Sequence, residues 1–339
     1  MVVARLLQWN DWLTQDASSP KHTADWRHPM VAWLIHSSLS SLIIVAFHDY
    51  LLLPTIHHWQ NGKEDALLLP PLGTISLCPT TVTSPKYTAA TKVAIFCLLY
   101  AVALLWIRLV SNPPGVHRYS VLYGFTWLCN AALWVGGGFG LATCRFRLAT
   151  GFAIAVSIDQ ILWYVDALGY FYFGARTKLS KKPANKMFLI GVCQYLVWEE
   201  TQWSAKITCT HHFWTIPILI YGANGQLDGG SYIMNIIIVS SYVLLSRWLI
   251  PFGLHPIVAT KSNTKKRRFE KYMNVNLSHE LWQDIKIGIL RKQADCQPPR
   301  VYLQRLIVWW MLFNFGCFMF LKGILGMLYG RWTIDEGVG

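Results

Sequence analysis

The ten residues "SIDQILWYVD", Ser157 to Asp166, carry a contradiction. They lie in a run apolar enough to cross a bilayer, 149–173, yet they hold two aspartates. Asp159 and Asp166 stand seven residues apart, which on a helix puts them on nearly one face, roughly 10 Å apart along the axis. Trp163 falls between them on the same stripe, and Tyr170 extends it by a turn. An ionised carboxylate at mid-bilayer costs at least about 2.5–3.5 kcal/mol. Each acid must therefore face the interior of a helix bundle, find a partner, or keep its proton. The stretch predicts a polytopic helical membrane protein with polar groups gathered inside it.

Composition agrees. Of 339 residues, 53% are hydrophobic and only 14% charged, where a soluble chain carries nearer a quarter charged. Mean hydropathy is +0.32. Seventeen Trp and 15 Tyr suit the aromatic belts at the two bilayer interfaces. The net charge of +13 would suggest nucleic acid in a soluble protein. Here the basic residues crowd into two loops, so anionic lipid headgroups are the expected partner and nucleic acid is not. The eight cysteines form no C-x-x-C pair and most sit in apolar runs, so neither a disulfide framework nor a metal site is expected. The N-terminal "MVVARLLQWNDWLTQD" lacks a signal-peptide pattern.

Seven stretches meet the length and apolarity of a spanning helix: 30–54, 89–110, 119–143, 149–173, 204–222, 231–252 and 302–328. The fifth is the least apolar, and "KMFLIGVCQYLVW" before it reads as a re-entrant or interfacial piece. "GGGFG" at 136–140 predicts close packing or a kink. Sorting loop Lys and Arg by side gives 19 on the side of the N-terminus against five opposite. The positive-inside rule then places the N-terminus and both basic loops in the cytoplasm, or an equivalent such as a matrix or stroma. The expectation is one membrane domain over 1–339. Its basic inner loop, 253–301, carries an amphipathic surface helix from Ser278, with Leu281, Trp282, Ile285 and Ile289 on one face. Loop 55–88 is rich in Pro and Thr and predicts an irregular cap on the outer face. "NLS" at Asn276 matches a glycosylation acceptor but falls on the inner side.

Several polar residues share the apolar spans: His36, His48 and Asp49 in the first, Asn130 in the third, His211 and His212 in the fifth, Asn235 and Arg247 in the sixth. A buried His beside a carboxylate serves as base, proton relay or ligand. The bland alternative is an interhelical network that holds the bundle together. The histidines form no HxxxH or HxxHH box for a di-iron centre. No DDxxD metal site, phosphate loop or nucleophile elbow occurs, and no acid in the third span could serve Lys322 as a retinal counter-ion.

In order along the chain come "LWYVD" (Leu162–Asp166), the His211/His212 pair followed by Pro217, and "NVN" (Asn274–Asn276). This order resembles an uncharacterised family of bacterial multi-pass membrane proteins, over roughly residues 120–325. Here His211 replaces a Phe of the family pattern, and the first span and outer loop are not matched. The resemblance implies Trp163, Asp166, His212, Asn274 and Asn276 as shared polar positions, and no activity.

The sequence thus leads to an inner-half pocket that binds or modifies a lipid or isoprenoid. His212 or His211 is its base or orienter, Asp166 the partner, Asn274 and Asn276 the hydrogen-bond donors, and Trp163 and Asp159 complete the binding wall. A second expectation is a non-catalytic subunit of a larger membrane assembly, and a third is a transporter or proton relay through Asp159. The sequence names no cofactor.

Overall fold

The computed structural model describes residues 29–52, 85–111, 121–177, 188–197, 203–250, 253–256, 270–273, 275–279 and 299–335. Helix α1 (Pro29–Ala46) runs on into a π-helical turn, Phe47–Leu52, and α2 is Pro85–Val110. A broken segment follows: α3 (Val121–Phe125), α4 (Leu128–Ala131) and a π-helical stretch, Ala132–Gly140. Then come α5 (Phe146–Ala155), α6 (Ser157–Thr177), a 3-10 turn (Gln194–Val197), α7 (Trp203–Thr208), α8 (His211–Gly222) and α9 (Gly229–Leu249). Strands β1 (Gly253–Pro256) and β2 (Glu270–Met273) pair antiparallel, and a 3-10 turn (Val275–Leu277) precedes α10 (Pro299–Asp335).

The fold is therefore helical, with one short two-stranded ribbon among the described residues. Four helices are long and apolar enough to cross a membrane: Pro29–Leu52, Tyr87–Val110, Gly229–Leu249 and Arg300–Met327. The pair α5 and α6, bent by 47°, makes a fifth if it is one span. Leu99, Trp106, Leu168 and Phe320 on these helices are more than 60% exposed. Such a surface is untenable in water and natural against lipid.

The core centres on α5. Nine of its ten residues are buried, Arg147 being the exception. A helix apolar on every side belongs at the middle of a bundle, and α9, α8 and the π-helical stretch pack around it. The glycines of "GGGFG" let them close in. A Cβ on Gly136 would stand 2.8 Å from Phe152 Cβ, and one on Gly137 would stand 2.6 Å from Cys97 Sγ. Gly151 likewise leaves room for Met234, whose Cβ would lie 2.7 Å from an added methyl.

Three of the expected continuous spans are interrupted: the third between α3 and α4, the fourth at Val156, the fifth between α7 and α8. Freed backbone groups inside hydrocarbon need partners from within the protein. At Val156, Ser157 Oγ donates to Ala153 O (2.7 Å), and from α10 Trp310 Nε1 donates to Ala155 O (3.1 Å). At the α3/α4 break, Asn130 Nδ2 donates to Gly124 O (2.7 Å). The buried Asn276 does more. Its Oδ1 accepts from Leu128 N (2.9 Å), and its Nδ2 donates to Thr126 O and to Ser246 Oγ (both 2.9 Å). It holds φ 53°, a left-handed conformation that Asn adopts more readily than most residues.

Two other expectations change. Cys144 is disulfide-bonded to a partner outside the described residues, where no disulfide was expected. Its neighbourhood is charged rather than apolar: Arg145 grips Asp49 with two bonds (3.0 and 2.6 Å), and Arg147 binds Asp228 (2.7 Å), the N-cap of α9. Asn276, within the glycosylation-like "NLS", is fully buried and bonded. Asn274, the outer loop 55–84 and the surface helix beyond His279 lie outside the described residues.

Candidate intramembrane site

Helix α8 opens with the two histidines, and its first turn meets α6, α2 and α4. The His211 and His212 rings stack with centroids 4.3 Å apart. His211 Nδ1 donates to Thr208 O (2.5 Å), which fixes the tautomer and leaves Nε2 as the acceptor. Nε2 has no partner among the described residues, although His211 is fully buried. His212 Nδ1 also lacks one. Trp163 lies over His212, with centroids 5.6 Å apart and planes 19° from parallel.

Tyr164, next along α6, repairs a defect in α8. Pro217 has no N–H, so the carbonyl of Phe213, four residues earlier, loses its helical donor. The Tyr164 hydroxyl donates to Phe213 O (3.1 Å) and to His212 O (2.5 Å). Helices α6 and α8 are thus pinned together where the histidines begin.

Three further groups complete the cluster. Cys129 of α4 brings Sγ within 4.8 Å of a ring nitrogen of each histidine, and those two nitrogens are equally close to each other. Arg108 of α2 lies near enough for its charge to act on both histidines and on Cys129, while its Nε reaches Thr208 Oγ1 (3.4 Å). Asp159 also acts on Cys129. It occupies the first turn of α6, directly after the break at Val156, where the helix dipole favours a negative charge. No hydrogen bond to its carboxylate is found among the described residues. Gln160 Nε2 and Trp163 Nε1 also find no partner there.

A cleft of about 690 Å³ opens between α6, α8 and α10; Tyr164 and Phe213 reach it, whereas His211, His212, Trp163 and Asp159 do not line it. Ile161, Tyr164, Phe213, Pro217, Phe320 and Ile324 line it, and its wall is almost wholly apolar. Its size matches pockets that take small molecules.

The site residues read from the sequence therefore divide. His211, His212 and Trp163 meet directly, with Asp159 close by. Asp166 does not serve them. Its carboxylate, fully buried, accepts from three backbone amides, Ile190 N (2.6 Å), Gly191 N (2.8 Å) and Cys193 N (3.2 Å), and so folds the 188–193 segment onto α6. Asn276 is bound to the α3/α4 break rather than to the histidines, although by holding Leu128 N it fixes the residue before Cys129. His36 bonds Ser246 (3.1 Å), Arg247 bonds His279 (2.6 Å), Asn314 bonds Asn235 (2.9 Å), and His48 bonds Asp49 (2.7 Å). These partners lie in other parts of the bundle.

Cys129 and Arg108 are the members that sequence reasoning passed over. Cys129 looked like one more small apolar residue, and Arg108, near the end of the second span, was not singled out. The one available signal was Asn130, a polar neighbour to Cys129 inside an apolar run.

Comparison with protein-family models, with curated proteins and with solved structures finds no match.

Proposed function

We propose that this chain is an integral membrane protein of seven passes that binds, and acts on, a lipid-like molecule held between α6, α8 and α10. The cleft carries the reading. Tyr164 lines it with its ring and with its hydroxyl holds the carbonyl of His212. An acyl or isoprenoid chain would lie in the cleft against Ile161, Phe213 and Phe320, and Tyr164, which lines the cleft and holds the His212 carbonyl, is its link to His212, Trp163 and Asp159. His212 is then the base or orienter, Trp163 a stacking wall, and Arg108 the charge that receives an anionic headgroup. Unpartnered imidazole nitrogens in hydrocarbon are costly to leave so, and a ligand's polar atoms would satisfy them.

The four long helices, the α5/α6 pair, the broken 121–142 segment and the α7/α8 pair make up the seven crossings. The excess of Lys and Arg puts the N-terminus and the 253–301 loop inside. Cys144, between the third and fourth crossings, then falls outside, where disulfides persist. The basic inner loop meets anionic headgroups.

The test is lipid carried through purification, read by native mass spectrometry. The unmodified protein retains a bound lipid, and Ile324→Trp, which fills the cleft, loses it. Equal retention in the two proteins, or no bound lipid in either, rejects the reading.

A further inference from the structure

Two imidazoles and one thiol, drawn from segments far apart in the chain, meet inside the bundle. Cys129 Sγ and one ring nitrogen from each of His211 and His212 lie within 4.8 Å of one another. Around a tetrahedral ion, bond lengths of about 2.0 Å to nitrogen and about 2.3 Å to sulfur put ligand atoms about 3.5 Å apart. The three groups are within about 1.3 Å of that spacing, a gap that side-chain rotation can close.

The surroundings already have what a metal ligand needs. A ligating His normally donates its other N–H to a carbonyl, which fixes tautomer and ring. His211 Nδ1 does so to Thr208 O. Its Nε2 is buried, unpartnered among the described residues and carries the lone pair. His212 is held in place by the stack of Trp163 on one side and His211 on the other. Leu128, next to Cys129, has its amide fixed by Asn276.

Mixed imidazole and thiolate ligands suit zinc or copper(I), and exclude magnesium or calcium, which take oxygen ligands.

We infer that Cys129, His211 and His212 form an intramembrane site for a borderline-soft transition-metal ion. No metal is expected from the sequence, because the ligands sit neither in a C-x-x-C pair nor in a histidine box. Three protein ligands and one open position are the arrangement of a catalytic rather than a structural ion.

This inference does not rest on the lipid reading. Full-length protein is purified without chelator, and its zinc and copper are measured by elemental mass spectrometry. The expected result is about one ion per chain. After chelation, cobalt(II) is added, and the absorption spectrum should show a thiolate-to-metal band. Cys129→Ala should abolish that band and lower bound metal at least tenfold, whereas Cys193→Ala, whose thiol lies with Asp166 and the 188–193 segment, should leave both unchanged. A cobalt spectrum of the unmodified protein without a thiolate band overturns the site, even if Cys129→Ala fails to fold. So does metal retained equally in Cys129→Ala. Ile324→Trp should keep the metal while losing lipid, so the two proposals can fail separately.

Discussion

Asp159 and Asp166 sit two turns apart on one helix, and the structure treats them oppositely. Asp166 is fully buried and accepts three backbone hydrogen bonds from 190–193. Asp159 follows a break in the helix and has no hydrogen bond among the described residues. The same contrast recurs in the amides and imidazoles. Both polar atoms of the Asn276 side chain are used, in three bonds that close a gap in the bundle. His211 and His212 each keep a buried nitrogen without a partner among the described residues. In hydrocarbon, a satisfied polar group reads as a fastening and an unsatisfied one as a place kept for something else.

The contrast is sharpest where a fastening is removed. Asn276→Ala orphans Leu128 N and Thr126 O and puts Ala at a positive φ. Each orphaned buried group costs about 1–3 kcal/mol, so the loss should reach about 3 kcal/mol or more. A thermal-unfolding series in detergent should show a large drop in midpoint. A change of a degree or two would mean that the α3/α4 break does not depend on this residue.

Asp166→Asn comes next. It keeps acceptor capacity on one oxygen and turns an amide donor toward backbone N–H groups, at a cost of about 1–3 kcal/mol. Hydrogen exchange at Ile190, Gly191 and Cys193 should accelerate, while lipid retention stays near that of the unmodified protein. Lipid lost with those amides still protected would return Asp166 to the binding site.

Asp159→Asn should do the reverse. With no hydrogen bond to lose, stability should move by less than about 1 kcal/mol, in either direction. Bound lipid or metal should change instead. A destabilisation equal to that of Asp166→Asn would erase the distinction between the two acids.

The smallest effect concerns the covalent tie. Peptide mapping without reductant should link Cys144 to Cys78, and breaking that link should cost little in binding. A link to Cys296, from the inner loop, would contradict the assigned sides.

Much of this was legible beforehand. Apolar run lengths located the four long helices, because a bilayer demands about 20 such residues whatever the tertiary fold. "GGGFG" announced close packing, because only glycine allows backbones so near. The breaks at Val156 and between Phe125 and Leu128 were not legible, because their carbonyls and amides are satisfied by Trp310, Asn276 and Ser157, partners that no local pattern predicts. The histidines and Trp163 could be grouped from their rarity in apolar segments. Asp166 was paired with the wrong partner because carboxylate and imidazole look complementary in sequence, while three backbone amides leave no trace there. Cys129 was hidden by its own chemistry, since a thiol in an apolar run is usually only a small hydrophobe.

The account turns on whether the space between α6, α8 and α10 holds a molecule. An experimental density map of the protein in a lipid nanodisc tests this most directly. Elongated density running from Phe320 and Ile324 past Tyr164 is the predicted result. A cleft closed by Phe320 packed against Pro217, with both histidine nitrogens bonded to protein, would contradict it.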